Sequence, residues 1–239
     1  MHEHLFYPLP DRPAGGLAIY GEMADSAPRL YLAGGVTTAR TGGSLEPYTD
    51  LELKRAIDMG HIPGPHLDVT GPYLEGPGTF AIQMHELADP ADAARTVDYW
   101  AAEGVTSFKA YNYLTAAELK AAIDRAHAHH LKITGHLCSI GFRQAADLGI
   151  DNLEHGIVVD TEFYPEKRPD VCPASEAAAD MAKYLNVDGP RSSRHDPRPR
   201  GASRCHHVHS RHLRNIRARP SSSCARKRRA QRTHIRCRT

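Results

Sequence analysis

The 239-residue chain carries 30 Lys+Arg against 28 Asp+Glu, and this near balance hides two opposed segments. Residues 1–190 hold 14 basic and 27 acidic side chains, whereas residues 191–239 hold 16 basic side chains and a single acid, Asp196. No run of about 18 apolar residues is present for a membrane span, and the first residues are too charged and proline-rich for a signal peptide. A cytoplasmic protein without a membrane partner is the expectation.

Through residues 1–190, short β-like runs alternate with helical stretches, the rhythm of βα units around a parallel sheet. Thr49 with Glu52 has capping-box spacing and predicts a helix ending at Gly60. Asp89 before Pro90 predicts a cap followed by a proline suited to the first helical turn, with Gly104 at the far end. Thr115 with Glu118 predicts a third helix start of the capping-box kind. Strands are expected at 36–40, 66–70, 107–111, 132–136 and 152–155, short and partly apolar on every side, as strands covered on both faces are. One more helix is expected over 175–185, where the pattern stops. Residues 191–239 contain four large aliphatics and no aromatic residue. That is too little apolar surface to offset ordering entropy, so a disordered Arg-rich tail is expected. Cys138 and Cys172 lie in the first segment, and Cys205, Cys224 and Cys237 in the tail. No pair has CxxC spacing, so neither a disulfide framework nor a cysteine zinc site is expected.

Five residues carry the chemistry. His2 and His4 are two apart, so on a strand end both imidazoles leave on one side and can grip one metal ion; two solvated histidines near a chain start would look the same. Lys109 sits inside the run Ser107-Phe108-Lys109-Ala110-Tyr111. Burial there would lower its pKa and expose a neutral amine able to take up CO₂, unless the side chain snorkels to solvent. His136 and His155 each close a predicted strand, at the end where parallel α/β enzymes build their sites, although either alone could be a hydrogen-bonded core histidine. His127, His129 and His130 fall at a predicted helix end, where cations complement the dipole. Cys138 lacks a base and an orienting partner and reads as an ordinary loop thiol. Arg40 and Tyr111 end strands on the same face and are candidates to touch substrate.

Read in order, His2, His4, Lys109, His136 and His155 resemble the amidohydrolase superfamily. That family has an HxH pair after strand one, a carboxylated lysine on strand four and histidines on strands five and six. The segments His2-Glu3-His4-Leu5, Gly34-Gly35-Val36-Thr37-Thr38-Ala39-Arg40, Gly104-Val105-Thr106-Ser107-Phe108-Lys109 and Asn152-Leu153-Glu154-His155-Gly156 resemble its imidazolonepropionase-related and prolidase-like branches. The resemblance spans nearly all of 1–190 and implies an incomplete (β/α)₈ TIM barrel of the metal-dependent hydrolase type, from the end of strand one through strand six and a following helix. It implies that His2 and His4 hold one divalent ion and His136 and His155 a second, with a CO₂-derived carbamate on Lys109 bridging them. Zinc suits such ligands, with manganese and iron left open. The implied reaction is hydrolysis of a carbon–nitrogen bond, in a non-peptide or cyclic amide, by a metal-activated water. A prolidase-like enzyme cleaving an acyl-proline or acyl-lysine bond is the alternative. The implied partner is a small-molecule amide or dipeptide-like substrate, and an oligomer is left open.

By the same resemblance most of strand one, strands seven and eight, and the aspartate that ends strand eight are missing. One permitted coding of residues 201–213, read one base later, gives Glu-His-His-Val-Ala-Ile-Thr-Ser-Thr-Leu-Ala-Ile, a strand-like run, so the tail is expected to be out of frame. Losing a proton-shuttling aspartate costs about 10² to 10⁴ in rate, and an opened barrel exposes strand edges. The chain as written is therefore expected to be poorly soluble and inactive. The rival of another class is a nucleic-acid binder acting through the tail, which would be salt-sensitive and sequence-blind. No aromatic residue interleaves the arginines for base stacking, so nucleic acid is not the expected partner.

Overall fold

In the computed structural model, the residues described are 2–9, 18–174 and 184, without the side chains of His2 and Val158. The tail and, Tyr184 apart, the helix expected over 175–185 lie outside them. The chain opens with β1 (His2–Glu3), then an antiparallel hairpin of β2 (Phe6–Pro8) and β3 (Tyr20–Glu22), then α1 (Ser26–Ala33) and β4 (Thr38–Thr41). Next come α2 (Pro47–Asp58), β5 (His66–Asp68), β6 (Thr70–Leu74) and α3 (Pro90–Glu103). The series continues with β7 (Ser107–Ala110), α4 (Ala116–Ala128), β8 (Lys132–Gly135), α5 (Phe142–Leu148) and β9 (Asn152–Leu153), followed by two 3₁₀ turns at Ile157–Val159 and Thr161–Phe163.

The strands pair in parallel, in the orders β1-β4-β5 and β6-β7-β8-β9. Only Val69 separates β5 from β6, so one extended stretch serves both sheets. A Ser44–Pro72 bridge and a 2.9 Å bond from the Thr70 N–H to Thr41 Oγ1 tie them together. The fold is thus mixed α/β with parallel strands in chain order. Leu67, Phe108 and Ile133 from the strands and Leu119, Ala122 and Ile123 from α4 are fully buried in one core. Each of these leucine, isoleucine and phenylalanine side chains contributes roughly 1.5–3 kcal/mol by leaving water.

Local signals explain the element ends. The Asp89 side chain accepts the Asp92 N–H at 2.7 Å, with Pro90 in the first turn of α3, and Gly104 closes that helix in the left-handed region at φ 101°. Thr115 and Glu118 form the expected reciprocal capping box on α4. The start of α2 differs from expectation. Thr49 and Glu52 lie inside the helix, which begins at Pro47 with Glu46 as cap and no side-chain capping bond, because a proline at the first position presets the helical φ. The strand expected at 66–70 runs on to Leu74. Pro72, which has no N–H to give, is accommodated where the β6–β7 register shifts between Thr70 and Tyr73. The β2–β3 hairpin was not expected, since its short strands of aromatic, proline and glycine residues show no alternation.

One expectation is overturned outright. Cys138 and Cys172 are joined in a disulfide, with Cα atoms 4.9 Å apart, so Cys138 is not a free loop thiol. A contact made across 34 residues leaves no spacing signature in the sequence. Among the described residues, no helix is long and apolar enough to cross a membrane.

Candidate active site at the strand ends

Register decides which groups meet. Lys109 on β7 pairs with Tyr73 on β6 and Thr134 on β8, and Thr134 pairs with Asn152 on β9. Side chains alternate along a strand, so residues two positions further on, His136 and Glu154, share the face of Lys109. The ladder carries past the strand ends: the His136 N–H donates to the Ala110 carbonyl at 3.1 Å and the Glu154 N–H to the Gly135 carbonyl at 2.8 Å. His155 is one position out of step. Its backbone turns into the left-handed region at φ 61°, which brings its ring to 4.7 Å from that of His136. Such a conformation costs a non-glycine residue about 1 kcal/mol or more and persists where its surroundings over-determine it.

Lys109 is only 1% exposed. Burial lowers its pKa to about 8; the nearby Glu154 charge pushes it up and that of Arg40 pushes it down. Its Nζ stands 6.0 Å from the centre of the Tyr73 ring. Arg40, on β4 opposite His2 in register, donates from Nη2 to Glu154 Oε1 at 2.7 Å, while its Nη1 is buried without a hydrogen-bond partner. This ion pair joins residues 114 apart in sequence across the strand ends. The His4 ring connects through Tyr73, whose hydroxyl stands 3.4 Å from His4 Nδ1. Tyr73 lies 4.9 Å from Tyr111, and Tyr111 lies 4.9 Å from His136. Phe6, Tyr20 and Phe80 extend this wall. Burial raises the Tyr73 hydroxyl well above its ordinary range and Tyr111 to about 12, so both stay protonated at neutral pH.

Lys109, His136 and His155 therefore gather at neighbouring strand ends, Arg40 and Tyr111 stand among them, and His4 is linked by way of Tyr73. The side chain of His2 is not described. Among the described residues, no group of three or more His, Cys, Asp or Glu side chains stands ready to hold a metal ion; the set implied by the sequence adds a lysine and His2 to the other imidazoles. His127 and His129 lie elsewhere, on α4 and its cap, against Asp151 at 2.9 Å and Asp98 at 2.7 Å. Two groups escaped the sequence reading. Glu154 reveals itself only by standing two positions after Asn152, and Tyr73 was hidden behind Gly71 and Pro72.

No protein-family model matches the sequence, and no curated protein matches it. Among solved structures, the chain is similar to the bottromycin amidohydrolase AH, with a TM-score of 0.53 and 20% identity over 68% of this chain and 35% of that one. A candidate prolidase from Bifidobacterium longum aligns with a TM-score of 0.46 and 29% identity, over 54% of this chain and 34% of that one. An amidohydrolase aligns at 0.47 and 17%, over 79% and 53%. The chain thus spans about a third to a half of the length of the structures it matches. The first of these likenesses shows a fold shared with part of that structure.

Proposed function

We propose that the strand ends of this chain form a metal-dependent amidohydrolase site that acts on a carbon–nitrogen bond. The observation that carries this reading is the gathering of buried Lys109 with the His136–His155 pair on the ends of three consecutive parallel strands. The donor set fits in part: two imidazoles stand within 5 Å of each other, and a buried amine of lowered pKa is the form that takes up CO₂. His136 and His155 would hold one divalent ion, His2 and His4 a second, and a Lys109 carbamate both. Zinc is the first candidate for imidazole and oxygen donors. A divalent ion here supplies Lewis acidity toward an amide carbonyl.

The protein's own groups do the rest. Tyr73, Tyr111 and Phe80 exclude water from one side, which strengthens every charge interaction at the strand ends. Glu154 orients Arg40 and leaves Nη1 to donate to an acceptor on the substrate. Because the chain spans 35% of the bottromycin amidohydrolase it is similar to, the site is tested by binding rather than turnover. Zinc calorimetry is expected to give binding that His136→Ala weakens at least tenfold and His127→Ala leaves unchanged; equal loss in both variants refutes the site. A phosphonate analogue of a tetrahedral amide intermediate is expected to bind more tightly than the planar amide, and only with zinc present. Equal affinity for the two refutes the reaction.

A further inference from the structure

The Cys138–Cys172 bond closes a loop that begins two residues after His136 and contains α5, β9 and His155. Both imidazoles are thus held by loops that this one covalent bond joins. Cys138 is 6% exposed, in the loop after β8. Cys172 lies on a returning strap, residues 164–174, most of whose side chains are exposed. Little apolar burial holds the strap down. Its other ties are polar: Lys167 Nζ donates to the carbonyls of Cys138 at 3.0 Å and Ser139 at 2.5 Å, and Asp170 accepts the Ala116 N–H at 2.8 Å. Upstream of the strap, Thr161 Oγ1 donates to the Cys138 carbonyl at 2.5 Å.

We propose that the Cys138–Cys172 disulfide is a redox-controlled lock on the geometry of the His136–His155 pair, opened by thiol reductants and closed by the reverse exchange with a small-molecule disulfide, which is reduced to two thiols. The left-handed backbone of His155 needs its surroundings to over-determine it, and the disulfide is a covalent constraint among them. Opening consumes two thiols. A thiolate attacks Sγ of Cys172, the more exposed of the two residues, and the sulfur–sulfur bond breaks, with Cys138 leaving as a thiolate that takes a proton. A second thiolate then attacks the mixed disulfide, releasing Cys172, which is protonated in turn, and an oxidised thiol dimer. The protein gains two electrons and two protons, and the reductant loses them. Lys167 donates to the backbone carbonyl of Cys138 at 3.0 Å, and a lysine in the neighbourhood of a cysteine favours its thiolate.

The proposal rests on the amidohydrolase reading only for its effect on metal binding, so the test separates the two. The full chain is compared before and after dithiothreitol, with alkylation and mass mapping to assign thiols and NMR of the His136 and His155 imidazoles to report geometry. Zinc affinity is measured in both states. Cys138 and Cys172 are expected to resist alkylation until reduced, the two imidazole spectra to change on reduction, and zinc affinity to fall at least tenfold. The double variant Cys138→Ser/Cys172→Ser is expected to resemble the reduced chain throughout, and titrating reductant into the unaltered chain gives the answer even if that variant does not fold. Free thiols at both positions in the oxidised protein overturn the lock, as do imidazole spectra indifferent to reduction. Changed spectra with no zinc binding in either state uphold the lock and refute the metal site.

Discussion

Glu22, at the end of β3, and Asp50, in α2, face each other where the hairpin meets the helix. Both oxygens of Glu22 and Oδ1 of Asp50 are buried, and the two acids can share a proton in a hydrogen bond between them. Burial, with Asp50 and Glu46 close by, pushes Glu22 up to about 8; burial likewise raises Asp50 to about 6. Because both groups hold protons more tightly folded than unfolded, their contribution to stability is complete at low pH and is lost as pH climbs through about 6 and then about 8. Urea unfolding is expected to show stability falling from about pH 4 to about pH 8, and Glu22→Gln to remove about 1–2 kcal/mol of that fall, discounted for the partial exposure of Glu22. A variant with the same slope as the parent contradicts the assignment. None of this is legible in sequence, where Glu22 and Asp50 look like two ordinary surface acids. The same holds for Glu154, whose role depends on Arg40 arriving from 114 residues away.

Elements were more legible, and for local reasons. The Thr115–Glu118 pair and the Asp89–Pro90 pair act within a single turn, so their spacing carries the whole signal. Thr115→Ala is expected to cost about 1 kcal/mol of stability, read from the shift in denaturant midpoint, whereas Thr49→Ala, inside α2 and not at its cap, is expected to cost nothing or to gain a few tenths, alanine being the better helix former. Equal costs would mean that Thr49 caps its helix after all. Where elements escaped the reading, a longer-range partner was deciding. Pro72 continues β6 because the strand it pairs with shifts register there, and β2 and β3 exist because each pairs with the other and packs Phe6 and Tyr20 on Tyr73 and Phe80.

Over the whole molecule, strands that alternate with helices and pair in parallel deliver their carboxyl ends to one side. That is why the order of His4, Lys109, His136 and His155 in the sequence points toward one mouth before any contact is known. The order cannot reveal the covalent tie from Cys138 to Cys172 or the tyrosine wall between His4 and His136, since both depend on loops finding each other. The proposed site requires buried Lys109 to serve these strand ends as a carbamate. The most direct test is ¹³C NMR of the full chain in ¹³C-bicarbonate with zinc. A carbamate resonance that vanishes in Lys109→Arg and shifts in His136→Ala is expected. No such resonance, or one that survives in Lys109→Arg, would contradict the proposed site.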